Sequence, residues 1–393
     1  MRVLIVGTGV RREFGLRSLR DAGHVVGIVD LLHRIPVEWC DRYSAANPRD
    51  TLEVVKAIET MDIPWDAVLC WEDSALDSAH AAAGRLGLPR PLMDSVCFRD
   101  KAAMHRRLRA ASVPSAQLGD ASDLAECVRL VRAAGFPAVV KPADGSGSSG
   151  VQIVREPGEV AAAFRAAAPR GHSGRVVVDR YLDGPEFSVE SVSWGAGEHE
   201  IVGITEKTCT SPPYCVELAH YFPAEVPDDL AARIGQVVTD ALTALGMRAG
   251  VSHAEVRVVD GTPYVIEVAG RPAGDFIPKL VRLATGRDLH LLELAAVTGT
   301  RAPEGEPSCQ AAAVAFFQGE PDAVIARPDV HAVLADPVLG GAAIELAYWW
   351  RDGARAPMVR SSGDRLGHCV LAGRAEQVRQ ALSLVGRLEP VGA

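Results

Sequence analysis

Lys141 closes the apolar run Phe136-Pro137-Ala138-Val139-Val140 and is followed by Pro142 and the loop Ala143-Asp144-Gly145-Ser146-Gly147-Ser148-Ser149-Gly150. The run reads as a buried strand, and a lysine at its end is poor core material unless its ammonium meets an anion. Pro142 ends the strand, because it brings no N–H to a sheet ladder. The glycines and serines after it offer backbone N–H groups clear of any Cβ and hydroxyls that turn toward phosphate oxygens. This is not a Walker A loop, which closes on Gly-Lys-Ser/Thr; here the lysine precedes the glycines. A polyphosphate cradle is one reading of the segment, and a mobile surface loop is the other.

A chain of 393 residues exceeds a single core and divides into about two to four domains. Its formal charge is -9 and its basic residues are scattered, which argues against nucleic acid as a partner. No apolar run approaches the ~20 residues of a membrane span, and the opening Met1-Arg2-Val3-Leu4-Ile5-Val6 reads as a strand rather than a signal peptide. The expected location is the cytoplasm, with no membrane partner. Eight cysteines without a Cys-x-x-Cys pair do not suggest a zinc site or a disulfide framework. Cys209 and Cys215, the closest two, read as packing residues.

The first third alternates strand and helix signals: a strand over 3–6, a helix ending near Gly23, a strand over 24–30 ending on Asp30. Further helices are expected over 52–60 and 74–86, with a strand over 67–71 between them. This is the opening of a Rossmann-like domain. Its Gly7-Thr8-Gly9 is an incomplete dinucleotide signature, because position 12 is Arg where a third glycine belongs. Beyond residue 90 come expected helices over 98–111 and 120–134, the Lys141 strand, and a short strand over 176–178. In Glu186-Phe187-Ser188-Val189-Glu190 alternation puts Glu186, Ser188 and Glu190 on one strand face. A helix over 228–245 precedes two strands around Glu255 and Glu267 that turn at Asp260-Gly261. The Pro-, Gly- and Glu-rich 301–307 reads as a linker. Strand signals over 311–317, 341–350 and 368–371 and a helix over 375–384 then make a small α+β lobe. The expected division is 1–90, 91–300 (with subdomains 91–178 and 179–300) and 301–393.

The Asp260-Gly261 hairpin would bring Glu255 and Glu267 onto one face about 5 Å apart. Two carboxylates that close need a cation, and magnesium takes one or two protein carboxylates together with phosphate oxygens. An exposed hairpin with two solvated glutamates is the competing reading.

Taken together these segments resemble the ATP-grasp ligases, over nearly the whole chain. Lys101 and Lys141 match that family's nucleotide lysines, and Gly145, Ser146, Gly147, Ser148, Ser149 and Gly150 its flexible phosphate loop. Asp179-Arg180-Tyr181-Leu182 matches the hinge that reads adenine, Glu186 the ribose ligand, Glu255 and Glu267 the paired metal ligands, and Arg271 the arginine beside the acyl-phosphate. The resemblance implies an ATP-grasp fold, mixed α/β and α+β, with ATP and Mg2+ as cofactors and Mn2+ as an alternative ion. It departs from the family at one place. Where the family reads Glu-x-Asn-x-Arg, this chain has Glu267-Val268-Ala269-Gly270-Arg271, and Ala269 cannot ligate a metal, which leaves the number of metal ions open.

Within the family the segment Pro212-Pro213-Tyr214-Cys215-Val216-Glu217-Leu218-Ala219-His220 is similar to the amino acid pocket of L-amino acid ligases. That implies a substrate end built from Glu217 and His220, with Glu72 from the N-terminal domain and the Gly270, Arg271 and Gly274 backbone. A carboxylate suits a substrate ammonium, and an imidazole suits a carboxylate or a proton transfer. Lys207 is a candidate for the γ-phosphate, and His253, two residues before Glu255, shares its strand face. Trp349 and Trp350 read as packing. The expected reaction is ATP-dependent amide formation between an amino acid carboxylate and an amine through an acyl-phosphate, with Arg271, Glu217 and His220 at the chemistry and a homodimer as the usual assembly. Rival readings are a biotin-carboxylase-like carboxylation, an ATP-binding regulatory protein without turnover, and a dinucleotide oxidoreductase resting on Gly7 and Gly9.

Overall fold

The computed structural model describes all residues except 10, 35–36, 196, 328, 330, 332–333 and 389–393. The first four strands, β1 (Arg2–Val6), β2 (Val25–Asp30), β3 (Arg42–Ala45) and β4 (Ala67–Leu69), form a parallel sheet in the order β3-β2-β1-β4. Val3, Leu4, Ile5 and Val6 are wholly buried, as expected for a parallel strand covered on both faces. Asp30, which a dinucleotide site would use for ribose, is instead taken by Thr8, whose N–H and hydroxyl both donate to its carboxylate at 2.9 and 2.8 Å.

A second sheet holds β5 (Gln117–Ala121), β6 (Ala138–Pro142), β7 (Gln152–Val154) and β8 (Val176–Arg180) in the order β5-β8-β6-β7, all antiparallel. Two local expectations change here. The strand β5 replaces the start of the helix expected over 120–134, which begins only at Leu124, after Asp123 caps it by accepting the Glu126 N–H. The helix expected over 98–111 is broken at Asp100, whose extended backbone and carboxylate cap Lys101–Ala110 through the Ala102 and Ala103 N–H groups.

The third sheet carries the remaining strands: β9 (Glu186–Trp194), β10 (His199–Cys209), β11 (Glu217–Phe222), β12 (Ala249–Val259), β13 (Thr262–Ala269), β14 (Ala311–Phe317), β15 (Ala343–Tyr348) and β16 (Gly367–Gly373). Their order is β13-β12-β9-β10-β11-β14-β16-β15, so the last three strands extend the same sheet. The helix Asp228–Leu245 covers one face, burying Ile234, Val237, Val238, Ala241, Leu242 and Leu245 at helical spacing before Gly246 ends it in a left-handed conformation. At about 1.5–3 kcal/mol for each large apolar side chain buried, this one stripe holds the sheet firmly in place. No helix among the described residues is long and apolar enough to cross a membrane.

Candidate active site

The second and third sheets face one another across a cleft, and β6 delivers Lys141 to it. Lys141 is buried, its Nζ lying 2.7 Å from Asp179 on β8 and donating to the Ile266 carbonyl at 3.5 Å. Burial alone would lower the ammonium's pKa, but Asp179, then Glu267 and Glu255, reverse this and raise it. Lys101 opens its helix with its N–H bonded to the Ala143 carbonyl, so the backbone before the loop fixes where its side chain starts. Its Nζ reaches the Gly145 carbonyl at 2.7 Å and Glu267 at 2.8 Å. Gly145, Ser146, Gly147, Ser148 and Ser149 all line the cleft. Gly150 does not; at φ +81° it turns the chain against Ala167 and Arg170, where a side chain would have no room.

The opposite wall comes from strand alternation. On β12 His253, Glu255 and Arg257 share a face, and Glu255 pairs in register with Glu267 on β13. Lys207 on β10 pairs in register with Glu186 on β9. Its buried Nζ sits 2.7 Å from Glu186, 2.7 Å from Glu255 and 3.5 Å from Glu217. Burial opposes the charge on Lys207, yet Glu186, Glu255 and Glu217 together hold its pKa well above the ordinary value. Burial would likewise raise Glu255, but Lys207 and then His253 hold it well below. Arg257 donates to Glu186 at 2.8 Å and to the Leu182 carbonyl at 2.9 Å, and its guanidinium lies 5.8 Å from the Tyr181 ring. It thus ties the 179–182 hinge to the acidic wall. Cys215 lines the cleft with its thiol pushed up to about 11 by burial, so it is an inert wall residue rather than a nucleophile.

Arg271 stands where the cleft meets a second, wider opening toward the N-terminal sheet. Its guanidinium is held by both oxygens of Asp73, with Nε to Oδ1 at 2.6 Å. Glu72 lines the wider opening and is bound by Arg49 at 3.4 Å and Ser74 at 2.5 Å. Glu217 lines the cleft beside Ser148, whose hydroxyl is 3.4 Å away. His220 is not brought to it: the ring is buried, edge-on to Phe316, with Nε2 3.7 Å from Asp275. Gly270 is buried beneath Met93 and Phe98 and lines neither opening, so its missing side chain makes room for packing. Gly274 lines a separate cavity.

Arg257 and Asp73 escaped the sequence reading for different reasons. The alternation through 253 and 255 extends to Arg257, so the strand pattern could have found it. Asp73 meets Arg271 across 198 positions, and no local pattern signals such a pair.

Glu255 and Glu267 face one another in register as the two carboxylates that could take a divalent cation. Among the described residues no group of three or more His, Cys, Asp or Glu could hold one, and Ala269 is buried at the cleft wall opposite His253. Two facing carboxylates in the cleft lined by 145–149 nevertheless fit Mg2+ or Mn2+, which complete their shells with phosphate oxygens and water.

A family model described as an ATP-grasp domain matches residues 134–279, the span from the Lys141 strand through Arg271. The chain carries an ATP-grasp domain. The chain is 35% identical over 226 residues to an uncharacterized protein of Sinorhizobium fredii, covering 55% of this chain and 46% of that protein. It is 36% identical over 166 residues to a D-alanine–D-alanine ligase of an Anaeromyxobacter species, covering 41% of this chain and 52% of the ligase. The matches thus span about half the length of these relatives. An L-amino acid ligase from Bacillus licheniformis has the same fold across 100% of this chain and 98% of its own, with a TM-score of 0.82 at 22% identity. The ATP-grasp fold with its Rossmann-like opening, expected from the sequence, is the fold observed.

Proposed function

We propose that this ATP-grasp protein is an ADP-forming ligase that joins an amino acid carboxylate to an amine through an acyl-phosphate. The observation that carries the reading is Lys101, which bonds at once to the Gly145 carbonyl and to Glu267. One lysine therefore joins the phosphate loop to the carboxylate pair, so a nucleotide's terminal phosphates and a divalent ion would meet there.

Lys101 and Lys141 would hold the phosphates, the Asp179–Leu182 hinge the adenine, and Glu186, after exchanging one of its two present cations, the ribose. Lys207 would face the γ-phosphate. Mg2+ on Glu255 and Glu267, when bound, supplies charge stabilisation for the transferred phosphoryl group. Arg271, its orientation fixed by Asp73, would then hold the carbonyl oxygen as an amine displaces phosphate. The N–H groups of 145–149 would bind phosphate oxygens, and the loop lying over them would exclude water, which matters because acyl-phosphates hydrolyse. Glu217 and Glu72 would meet a substrate ammonium, and His220, which does not line the cleft, would act only indirectly, through Asp275 and the Arg365 that bonds the Glu217 carbonyl. The division at 1–90, 91–300 and 301–393, small-molecule substrates, a cytoplasmic location and a homodimer belong to the same proposal.

The test is release of ADP and phosphate with MgATP and mixed amino acids, followed by mass spectrometry of the products. Amine-dependent phosphate release with a new amide is expected. Tight ATP binding without any amine-dependent turnover would overturn the ligase reading and favour a regulatory binder.

A further inference from the structure

The helix Leu289–Thr298 is wedged between the N-terminal sheet and the third sheet. Leu291 and Leu294 pack with Leu69 and Trp71 on one side, and Leu289, Leu292 and Ala296 with Val192 and Val251 on the other. A helix apolar all round belongs in a core, and Glu293 is its one acid. That carboxyl is 0% exposed; its Oε2 accepts the Trp71 indole N–H at 2.9 Å, and Oε1 has no partner among the described residues. Burial pushes its pKa up to about 8, against the Trp71 hydrogen bond and the attraction of Arg12 and Arg271. Near neutral pH the core therefore holds a neutral carboxyl, and its one bond goes to Trp71.

Trp71 is the root of the segment that supplies Glu72 and Asp73. Its N–H donates to the Gly7 carbonyl at 3.1 Å, its carbonyl accepts from Arg12 at 3.3 Å, and its ring meets His290 edge-on at 4.6 Å between centroids. Arg12 also donates to the Pro272 carbonyl at 3.4 Å and to that of Ala273. One guanidinium thus spans the backbone beside both members of the Asp73–Arg271 clasp. The indole N–H is the remaining polar group of Trp71, and Glu293 takes it. Glu72 continues the chain in an extended conformation, and the next residue, Asp73, meets Arg271 with both oxygens. So short and extended a link passes any displacement of Trp71 on to Asp73.

We propose that Glu293 is a positioning residue for the chemistry at Arg271: by fixing Trp71 from the helix side it sets the 71–73 segment, and so the plane in which Asp73 holds the guanidinium. It lines neither the nucleotide cleft nor the wider opening, and acts only through Trp71, which lines the latter. The inference deepens the ligase reading and rests on it for the consequence in turnover, not for the clasp itself.

Solvent exchange of the Arg271 Nε–H, followed by 15N NMR on the full chain without substrates, reads the clasp directly. Glu293→Leu and Trp71→Phe each remove one side of the indole bond and should each speed that exchange about tenfold. Glu293→Gln, which keeps an acceptor for the indole, should hold the parent's rate. In the amine-dependent assay Glu293→Leu should lower kcat about tenfold, with the KM for ATP within about twofold of the parent. In an Asp73→Asn background it should lower kcat no more than about twofold further, because both changes act on one arrangement. Unchanged exchange in both Glu293→Leu and Trp71→Phe, or a full tenfold loss on top of Asp73→Asn, would each overturn the proposal. A parent that makes no amide would overturn the ligase reading instead, and the exchange rates would still decide the role of Glu293.

Discussion

Asp73 clasps Arg271 with both carboxylate oxygens, joining the loop after β4 to the end of β13. Two charge-assisted hydrogen bonds in a fork fix the guanidinium plane, which a single contact would not. Asp73→Asn keeps the shape and loses the charge. The expected result is a fall in turnover of about a hundredfold, since a misplacement near 1 Å costs that much, with little change in ATP affinity. Burial would raise the Asp73 pKa, but Arg271 lowers it. Its stabilisation is therefore present above the ordinary carboxylate pKa and lost as pH falls through the lowered one. Urea denaturation from neutral pH downward should show an acid limb that flattens in Asp73→Asn; identical limbs would refute this.

Lys207 is the one cation that three carboxylates share. Replacing it by Met leaves Glu186, Glu217 and Glu255 facing each other without their shared cation. Removing one partner from a buried charge cluster costs roughly 3–5 kcal/mol. Magnesium should restore part of that loss by taking the place of the missing charge, so Mg2+ should raise the melting temperature of Lys207→Met more than that of the parent. Equal shifts would argue against a cation site at Glu255.

His253 carries a pKa raised to about 9: burial would lower it, but Glu190, 2.6 Å away, and then Glu255 overcome that. A raised imidazole contributes stability fully present below about pH 6.5 and lost as pH rises through about 9, worth roughly 3 kcal/mol at most. Denaturation midpoints between pH 6 and 10 should fall in the parent and stay level in His253→Gln. An NMR titration midpoint near 6.5 for this histidine would sink the prediction.

Much of the cleft was legible because its parts are local. Lys141 stands out as a charge ending an apolar strand, and Glu255 and Glu267 follow from two alternating strands with a recognisable Asp260-Gly261 turn, which the register then paired. Helix 228–245 showed both its apolar stripe and its glycine stop. What the chain hid was either irregular or distant. The strand β5 reads Gln117-Leu118-Gly119-Asp120-Ala121, with too few apolar residues to announce itself. The continuation of the third sheet through β14, β16 and β15 is a matter of strand order, which periodicity does not encode. His220 carried the right chemistry for a substrate end, yet the β11 pairing places it against Phe316 and Asp275.

The loop over 145–149 is the element whose removal separates binding from chemistry. Its Gly147 carbonyl accepts the Ser362 N–H at 3.3 Å, and Ser148 and Ser362 both approach Glu217 at 3.4 Å, so it lies across the cleft mouth and touches the C-terminal part of the chain. The hinge residues Asp179, Tyr181 and Leu182 line the cleft from β8 and the turn after it, without help from the loop. Deleting Ser146 to Ser149 should therefore leave adenine-nucleotide affinity within a few-fold of the parent, because the hinge contacts survive. Ligation should fall about a hundredfold or more, since both the N–H groups that stabilise transferred charge and the barrier to water are lost. The ratio of ATP hydrolysed to amide formed should rise at the same time, as any acyl-phosphate made is left open to water. Equilibrium binding of ADP and a paired assay of phosphate and amide would read both quantities, and full ligation with an unchanged ratio would show that the loop is only a surface turn.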